Sequence, residues 1–178
     1  MPSSDTSLSA SDTSLLDLAG RVGAAARVQG VWIGTVESCT GGLVAHLLTE
    51  IPGSSDYLRG GLVTYANEAK EELADVPGAT LAAHGAVSSE VAVAMAVGGR
   101  RRLGVDVAVA ITGVAGPSGG SAEKPVGLTY IAVADGSGTV ARRFVWNGDR
   151  STNKRLSAGA ALTLLLETLT AASGEGPR

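Results

Sequence analysis

The sequence predicts a three-layer α/β/α domain whose central sheet is mixed and mainly parallel. Apolar, strand-like runs alternate with stretches of helical spacing through most of the chain, which favours parallel strands joined by crossover helices. Two strand-like runs separated by a glycine-rich turn follow later, which favours an antiparallel hairpin. With 178 residues and 44% hydrophobic content, the chain is long and apolar enough for one well-packed domain.

Each element follows from local spacing and from residues that begin or end helices. Predicted helices cover residues 14–28, 41–49, a short segment from 67, 88–103 and 150 to about 171, with a further helical turn at 80–84. Predicted strands cover residues 31–37, 57–65, 105–111, 126–134 and 139–146. The run at 105–111 is rich in valine, so it is expected to be the central strand, buried on both faces. Asn67, Ser88 and the segment 147–149 are expected to cap the helices that they open, and Gly30 and Gly104 are expected to end the helices before them. Leu62 and Val63 are expected to be buried.

The composition argues against several classes of protein. A net charge of −3 gives no reason to expect a nucleic-acid partner, and the only basic run, at 100–102, falls at a predicted helix end. No apolar stretch is long enough to span a bilayer, so no membrane partner is expected. The single cysteine excludes an internal disulfide and fits a reducing, cytoplasmic location. Residues 1–13 lack the features of a secretion signal, so we expect an N-terminal tail at 1–13, a domain at 14–171 and a C-terminal tail at 172–178.

One short stretch joins a predicted strand to a predicted helix and carries groups suited to acyl transfer. Ser38 stands at the end of the first strand, and Thr40, Gly41 and Gly42 open the helix. The unpaired N–H groups of a helix start favour an anion or a developing oxyanion, and glycines let a ligand approach the backbone. A hydroxyl nucleophile beside such donors is suited to acyl transfer. The structural alternative is that Ser38 and Thr40 cap the helix.

A serine nucleophile needs a base, and the sequence favours lysine over histidine. His46 lies within an apolar helix and His84 in a connector, so both are expected to be structural or surface residues. Lys70 follows the end of the second strand, and burial can lower the pKa of a lysine until it accepts a proton. The alternative is a solvated Lys70 paired with an acid such as Glu71. Two isolated histidines and one cysteine predict no metal site, and no cofactor is expected.

Three loops of unusual composition leave the carboxyl ends of predicted strands, at residues 37–42, 65–70 and 112–124. In an open α/β sheet the ligand crevice lies at this edge, so the three loops are expected to converge. The third contains four glycines and a proline within 112–120, so its backbone must bend sharply or approach another group closely.

Taken together, these motifs resemble one known family. The matching stretches are E-S-C-T-G-G at 37–42, V-T-Y-A-N-E-A-K at 63–70, H-G-A-V-S at 84–88, G-V-A-G-P-S-G-G at 113–120, E-K-P-V-G at 123–127 and G-D-R at 148–150. Their order and consistent spacing are specific, although any one alone would be weak. On this basis the chain is similar to the CinA carboxy-terminal domain family of competence/damage-inducible proteins, from about residue 15 to residue 169.

The resemblance implies an amidohydrolase that converts nicotinamide mononucleotide to nicotinic acid mononucleotide and ammonia through a metal-independent serine acyl-enzyme. It implies Ser38 as the nucleophile, Lys70 and Tyr65 as the residues that activate it, and Thr112 as a further active-site hydroxyl. Ala66 departs from the family pattern, in which serine is expected in many members, and so removes a hydroxyl near the site.

The same resemblance suggests which residues bind the substrate. Backbone N–H groups of the nucleophile turn, residues 38–42, would hold the oxyanion, and the residues expected to provide them are Thr40, Gly41 and Gly42. The loops would contact the nucleotide through Asn67, Gly113 and Gly116. The guanidinium of Arg150, at a helix start, would hold the 5′-phosphate.

Other functions remain open at this point. The domain can be a non-catalytic binding module for a competence or DNA-repair partner, or an amidase for another small amide. Larger family members carry an added N-terminal domain resembling molybdopterin-binding proteins, and its activities are expected to be absent here because only a short segment precedes Ser14. The alanine-rich run at 158–166 permits a homodimer or packing on the sheet.

Overall fold

Six helices, five strands and a 3₁₀ turn form residues 11–172, which are the residues that the computed structural model describes. The helices are α1 (Asp12–Gln29), α2 (Leu43–Thr49), α3 (Asn67–Ala74), α4 (Gly78–His84), α5 (Ser89–Leu103) and α6 (Arg150–Ala172). The strands are β1 (Ile33–Glu37), β2 (Leu58–Val63), β3 (Val107–Gly113), β4 (Leu128–Ala134) and β5 (Thr139–Val145), and the 3₁₀ turn is Ser54–Asp56.

The five strands form one mixed sheet in the order β2-β1-β3-β4-β5. β1 pairs in parallel with both β2 and β3, whereas β3–β4 and β4–β5 are antiparallel. Four of the five strands therefore run in one direction, which confirms the predicted mixed, mainly parallel sheet. The valine-rich β3 is the central strand and is buried along almost its whole length, as predicted.

Helices cover both faces of the sheet, and side-chain size differs between the two faces. Alternate residues of a strand point to opposite faces. In β3, Val107, Val109 and Ile111 face the core formed with α1, α2 and α6, whereas Ala110 faces the core formed with α3, α4 and α5. The small side chains on the second face let α5 approach the sheet closely.

Two glycines fix how α5 packs. A Cβ atom on Gly98 would overlap the carbonyl oxygen of Ala74 at the end of α3, and a Cβ atom on Gly99 would overlap the side chain of Val36 in β1. Because neither position has room for a side chain, α5 lies directly against both elements. This contact helps to position α3, the helix that carries Lys70.

Most of the predicted helix-capping residues cap or end their helices as expected. Gly30 and Gly104 end α1 and α5 in the left-handed conformation, and the hydroxyl of Ser88 accepts the N–H of Val91 at the start of α5. α1 begins at Asp12, two residues earlier than predicted, because the hydroxyl of Ser11 accepts the N–H of Ser14. Residues 12 and 13 therefore belong to the helix and Ser11 is its N-cap, whereas residues 1–10 and 173–178 lie outside the described residues.

Two local predictions in the β2–α3 region are wrong. The N-cap of α3 is Ala66, which offers no side-chain hydrogen bond, and Asn67 is the first helical residue. Val63 is 49% exposed and Leu62 is only half-buried. The physical reason is that β2 is an edge strand, and side chains pointing away from the core meet solvent.

The basic run at the end of α5 has a structural role, as predicted. The carboxylate of Asp75 forms ion pairs with Arg101 at 2.7 Å and with Arg102 at 2.8 Å. These cations also lie at the helix C-terminus, where the dipole favours positive charge. Within residues 11–172, none of the helices combines the length and the apolar character needed to cross a bilayer.

Candidate active site

The carboxyl ends of three adjacent parallel strands bring the predicted site residues to one edge of the sheet. Hydrogen bonding continues just beyond the strand ends: the Ser38 N–H donates to the Ile111 carbonyl at 2.9 Å, and the Thr64 N–H donates to the Glu37 carbonyl at 2.8 Å. Ser38, after β1, therefore lies between the segments that follow β2 and β3. This arrangement follows the topological rule used to predict it.

Ser38 and Lys70 are in contact, although 31 residues separate them in the chain. The Lys70 Nζ lies 3.1 Å from the Ser38 Oγ and donates to the carbonyl oxygens of Thr64 at 2.8 Å and Tyr65 at 3.2 Å. The Lys70 side chain is 1% exposed and Ser38 is 8% exposed. The alternative of a solvated Lys70 paired with Glu71 is therefore wrong.

Burial lowers the pKa of Lys70, because a charged ammonium loses its hydration there. Among the described residues, all three of its hydrogen-bond partners are neutral oxygens, so no carboxylate restores the charge. A neutral amine has two N–H donors and one lone pair. The two carbonyls can take both donors, which leaves the lone pair directed at the Ser38 hydroxyl. This is the geometry that a general base requires.

Glu37 caps α2, a role that the sequence analysis did not assign. Its fully buried carboxylate accepts the N–H groups of Gly42 at 3.1 Å, Val44 at 3.1 Å and Ala45 at 2.9 Å. The N-cap residue is Gly42, at a φ of 95° that favours glycine, and it contributes no side chain. The structural alternative, in which Ser38 and Thr40 cap this helix, is therefore wrong.

Two of the three predicted oxyanion donors already donate hydrogen bonds within the protein. The Gly42 N–H donates to Glu37, and the Gly41 N–H donates to the Ser38 carbonyl at 3.1 Å. The Thr40 N–H, in contrast, has no acceptor within residues 11–172. The Thr40 hydroxyl is 1% exposed and also has no partner there. Of the three predicted donors, Thr40 is the one that retains a free N–H.

Tyr65 contributes its carbonyl group, rather than its hydroxyl, to Lys70. Its side chain is 61% exposed, and its hydroxyl accepts a hydrogen bond from Nη2 of Arg150 at 3.1 Å. Nη1 of Arg150 donates to the Gly116 carbonyl at 2.8 Å. Arg150 therefore bridges the segment after β2 and the glycine-rich loop after β3, which brings the third predicted loop to the site. Among the described residues, no hydrogen bond joins the Tyr65 hydroxyl to Ser38 or Lys70.

The start of α6 is held by two residues, of which the sequence analysis identified one. The carboxylate of Asp149 accepts the N–H of Thr152 at 2.7 Å, as the predicted cap requires. Asn153 was not identified: it is buried, and its amide donates to the carbonyls of Ala115 at 3.1 Å and Gly148 at 3.0 Å. Asn153 therefore ties the glycine-rich loop to this helix.

A cavity of about 530 Å³ opens at this helix start. Its lining residues are Ala115, Pro117, Val126, Gly148, Asp149, Arg150 and Ser151. This volume lies within the usual range for small-molecule sites, about 300–1,000 Å³. A larger cavity of about 720 Å³ lies around the β4–β5 turn and the C-terminal part of α6, and none of the predicted site residues lines it.

Three other predicted residues occupy different settings. The buried Thr112 follows Ile111, the partner of Ser38, and its hydroxyl donates to the Ala86 carbonyl at 2.7 Å. Gly113 ends β3 against the backbone of β4, where a Cβ atom would crowd the Leu128 carbonyl. Asn67 is exposed at the first turn of α3. The structure therefore places Thr112 beside the nucleophile segment and leaves Asn67 at the surface.

The remaining nucleophilic and basic side chains are less suited to the chemistry. Burial raises the pKa of the Cys39 thiol to about 12, so the thiol is neutral near pH 7. His46 and His84 are exposed and lie near Glu50 and Glu90, which confirms that they are surface residues.

Lys154 lies near the nucleophile turn and was not predicted as a site residue. It is half-buried on α6, one turn beyond Arg150, and its Nζ lies 3.7 Å from the position that a Cβ atom would occupy on Gly41. The spacing of four residues places Arg150 and Lys154 on one helix face, which is a signal that the sequence contained. Glu37 also gave a signal, because it is a charged residue at the end of a wholly buried strand.

Comparison with known proteins identifies relatives along most of the chain. The family model for the CinA C-terminal domain matches residues 15–169. A CinA-like protein from Geotalea uraniireducens is 51% identical over 143 residues, which cover 80% of this chain and 34% of that protein. The nicotinamide-nucleotide amidohydrolase PncC from Escherichia coli K12 is 46% identical over 155 residues, which cover 86% of this chain and 94% of that protein. The chain thus spans about a third of the CinA-like relative and almost all of the amidohydrolase.

Solved structures show the same fold. The competence/damage inducible protein CihA from Agrobacterium tumefaciens has a TM-score of 0.85 and 40% identity, covering 88% of this chain and 96% of that chain. A CinA superfamily protein from Klebsiella pneumoniae has a TM-score of 0.85 and 32% identity, covering 88% of this chain and 98% of that chain. These likenesses cover nearly all of the described residues.

Proposed function

The chain belongs to the CinA C-terminal domain family, and we propose that it is an amidohydrolase that converts nicotinamide mononucleotide to nicotinic acid mononucleotide and ammonia. The observation that carries this proposal is the buried Lys70 Nζ at 3.1 Å from the Ser38 Oγ. The 46% identity to an amidohydrolase of nearly the same extent supports the choice of substrate.

Acylation begins with proton transfer from Ser38. Neutral Lys70, with its two N–H groups held by the Thr64 and Tyr65 carbonyls, accepts the hydroxyl proton as the Ser38 Oγ attacks the carboxamide carbon. The oxyanion that forms on the former carbonyl oxygen accepts a hydrogen bond from the Thr40 N–H. Protonated Lys70 then gives its proton to the amide nitrogen, the C–N bond breaks, and ammonia leaves.

Deacylation reverses these roles with water as the nucleophile. Lys70, neutral again, takes a proton from water, and the hydroxide formed attacks the ester carbon. When the bond to the Ser38 Oγ breaks, Lys70 returns the proton to that oxygen and the carboxylic acid is released. One base therefore serves both half-reactions, and no net proton remains on the protein.

Tyr65 and Thr112 position other parts of the site. The Tyr65 carbonyl orients the Lys70 amine, and the Tyr65 hydroxyl, which accepts a hydrogen bond from Arg150, lies on the exposed side of the site. The Thr112 hydroxyl fixes the segment before α5 through its bond to the Ala86 carbonyl. We therefore assign the immediate proton acceptor to Lys70 rather than to Tyr65.

The test is release of ammonia by the purified protein from nicotinamide mononucleotide and from a panel of other small carboxamides. We expect turnover of the nucleotide and its loss in Lys70→Arg, because arginine stays protonated and cannot accept the Ser38 proton. Turnover of another amide in preference to the nucleotide would contradict the proposed substrate but support the proposed amidase mechanism. No ammonia from any amide would leave the non-catalytic binding module as the function.

A further inference from the structure

Three cations lie around the nucleophile turn, and they differ in how many of their donors are already used. The Lys70 Nζ contacts three oxygens within the protein, the Thr64 and Tyr65 carbonyls and the Ser38 hydroxyl. Arg150 donates to the Tyr65 hydroxyl and the Gly116 carbonyl. Lys154 is half-buried, and within residues 11–172 its ammonium group has neither a hydrogen bond nor an ion pair. A half-buried ammonium with three unused donors is poised to bind an anion.

The start of α6, which the sequence suggested as the phosphate site, is already occupied by a protein carboxylate. Asp149 accepts the N–H of Thr152 and also lines the cavity at this helix start. A phosphate placed there would face the negative charge of Asp149. Arg150, which starts the helix, is held in its bridge between two loops. These contacts argue against the helix N-terminus as the principal phosphate site.

Lys154 lies beside the turn that carries the nucleophile. The Gly41 N–H donates to the Ser38 carbonyl, so these residues form a turn whose ends lie within about 7 Å. The Lys154 Nζ lies 3.7 Å from the position that a Cβ atom would occupy on Gly41. The same turn holds the buried Thr40 hydroxyl, which has no partner within residues 11–172. A ligand whose carboxamide carbon meets Ser38 can therefore extend past Gly41 to the ammonium group.

From this geometry we infer that Lys154 is the principal group that recognises the 5′-phosphate of the substrate and so determines the preference for a nucleotide over its nucleoside. The inference rests on the proposed function and deepens it. Arg150 is then a positioning residue, which joins Tyr65 and the glycine-rich loop. The consequence is that Lys154 should affect phosphate-bearing substrates and spare those that lack the phosphate.

The experiment compares nicotinamide mononucleotide with nicotinamide riboside, which carries the same carboxamide without the phosphate. We expect Lys154→Met to raise KM for the nucleotide by about 10- to 100-fold, the usual effect of losing a charged hydrogen bond, while kcat/KM for the riboside changes less than about threefold. Lys154→Arg should restore most of the nucleotide KM. The matched control is Arg142→Met, which removes one positive charge from an exposed pair with Glu167, about 20 Å along α6 from Lys154.

Several outcomes would overturn the inference. Equal losses of activity on both substrates in Lys154→Met would place Lys154 at the reacting centre. An effect of similar size in Arg142→Met would show that only the net positive charge of the protein matters. Binding of ribose 5-phosphate, measured by calorimetry, gives a readout that needs no amidase chemistry. It should weaken at least about tenfold in Lys154→Met, and unchanged binding would contradict the role of Lys154 even if the wild-type protein released no ammonia. Absence of ammonia with intact ribose 5-phosphate binding would contradict only the proposed function.

Discussion

Replacement of Glu37 by glutamine should destabilise the protein, because three backbone N–H groups at the start of α2 depend on its carboxylate. Oε2 accepts from Gly42 and Val44, and Oε1 accepts from Ala45. Glutamine keeps one oxygen and places an NH₂ group where the other stood. If the amide oxygen faces Gly42 and Val44, the Ala45 N–H loses its acceptor and faces a donor.

The expected size follows from these contacts. The two retained bonds become neutral and each loses about 1 kcal/mol, and a buried N–H without an acceptor costs about 1–3 kcal/mol. Relief of the buried carboxylate offsets part of this sum. We expect a net loss of about 3 kcal/mol in the free energy of unfolding, which lowers Tm by about 6–12 °C for a chain of this size.

Thermal unfolding followed by circular dichroism measures this change. The matched control is Glu68→Gln, which makes the same chemical change at an exposed position in the first turn of α3. That control should cost at most about 1 kcal/mol, because only an interaction with the helix dipole is lost. A Tm for Glu37→Gln that matches the Tm of the control would refute the capping role of Glu37.

Three further variants probe the surroundings of the site. Burial lowers the pKa of Lys70 from its ordinary value of 10.5. At a pH between the lowered value and 10.5, the unfolded chain binds a proton at Lys70 that the folded chain lacks. The free energy of unfolding should therefore rise with pH across this window, by up to about 1.4 kcal/mol per pH unit. In urea unfolding at several pH values, the midpoint should depend less on pH in Lys70→Met than in the wild type. The same pH dependence in both proteins would contradict the lowered pKa of Lys70. Cys39→Ser should retain ammonia release within about threefold, since a thiol with a pKa of about 12 is neutral; complete inactivation would implicate the thiol. Ala66→Ser supplies the missing cap of α3 and should stabilise the fold by about 1 kcal/mol, whereas a lower Tm would show that the added hydroxyl is not accommodated.

The fold and the contact between Ser38 and Lys70 were predictable because both follow from topology. Hydrophobic spacing identified the elements, and parallel strands carry their carboxyl ends to one edge. The residues after β1 and β2 therefore had to be neighbours. The sequence could not decide whether Lys70 is buried, because a buried and a solvated lysine at this position of a short helix give the same local pattern.

The remaining contacts depend on side-chain directions between distant segments. Asn153 reaches Ala115, and Arg150 reaches Tyr65, across 38 and 85 positions of the chain. Glu37 turns back onto the helix that follows it and so takes the N–H of Gly42, one of the predicted oxyanion donors. No local pattern specifies such pairings, since each depends on how helices pack on the sheet.

The central claim is that Ser38 is the nucleophile of an amidase, and its most direct test is ammonia release from nicotinamide mononucleotide by Ser38→Ala. The substitution removes only the hydroxyl, which has Lys70 as its one described hydrogen-bond partner, so the fold should be retained. We expect an unchanged melting curve together with a loss of at least about a thousandfold in turnover, as for other serine nucleophiles. Activity within tenfold of the wild type at an unchanged Tm would contradict the account.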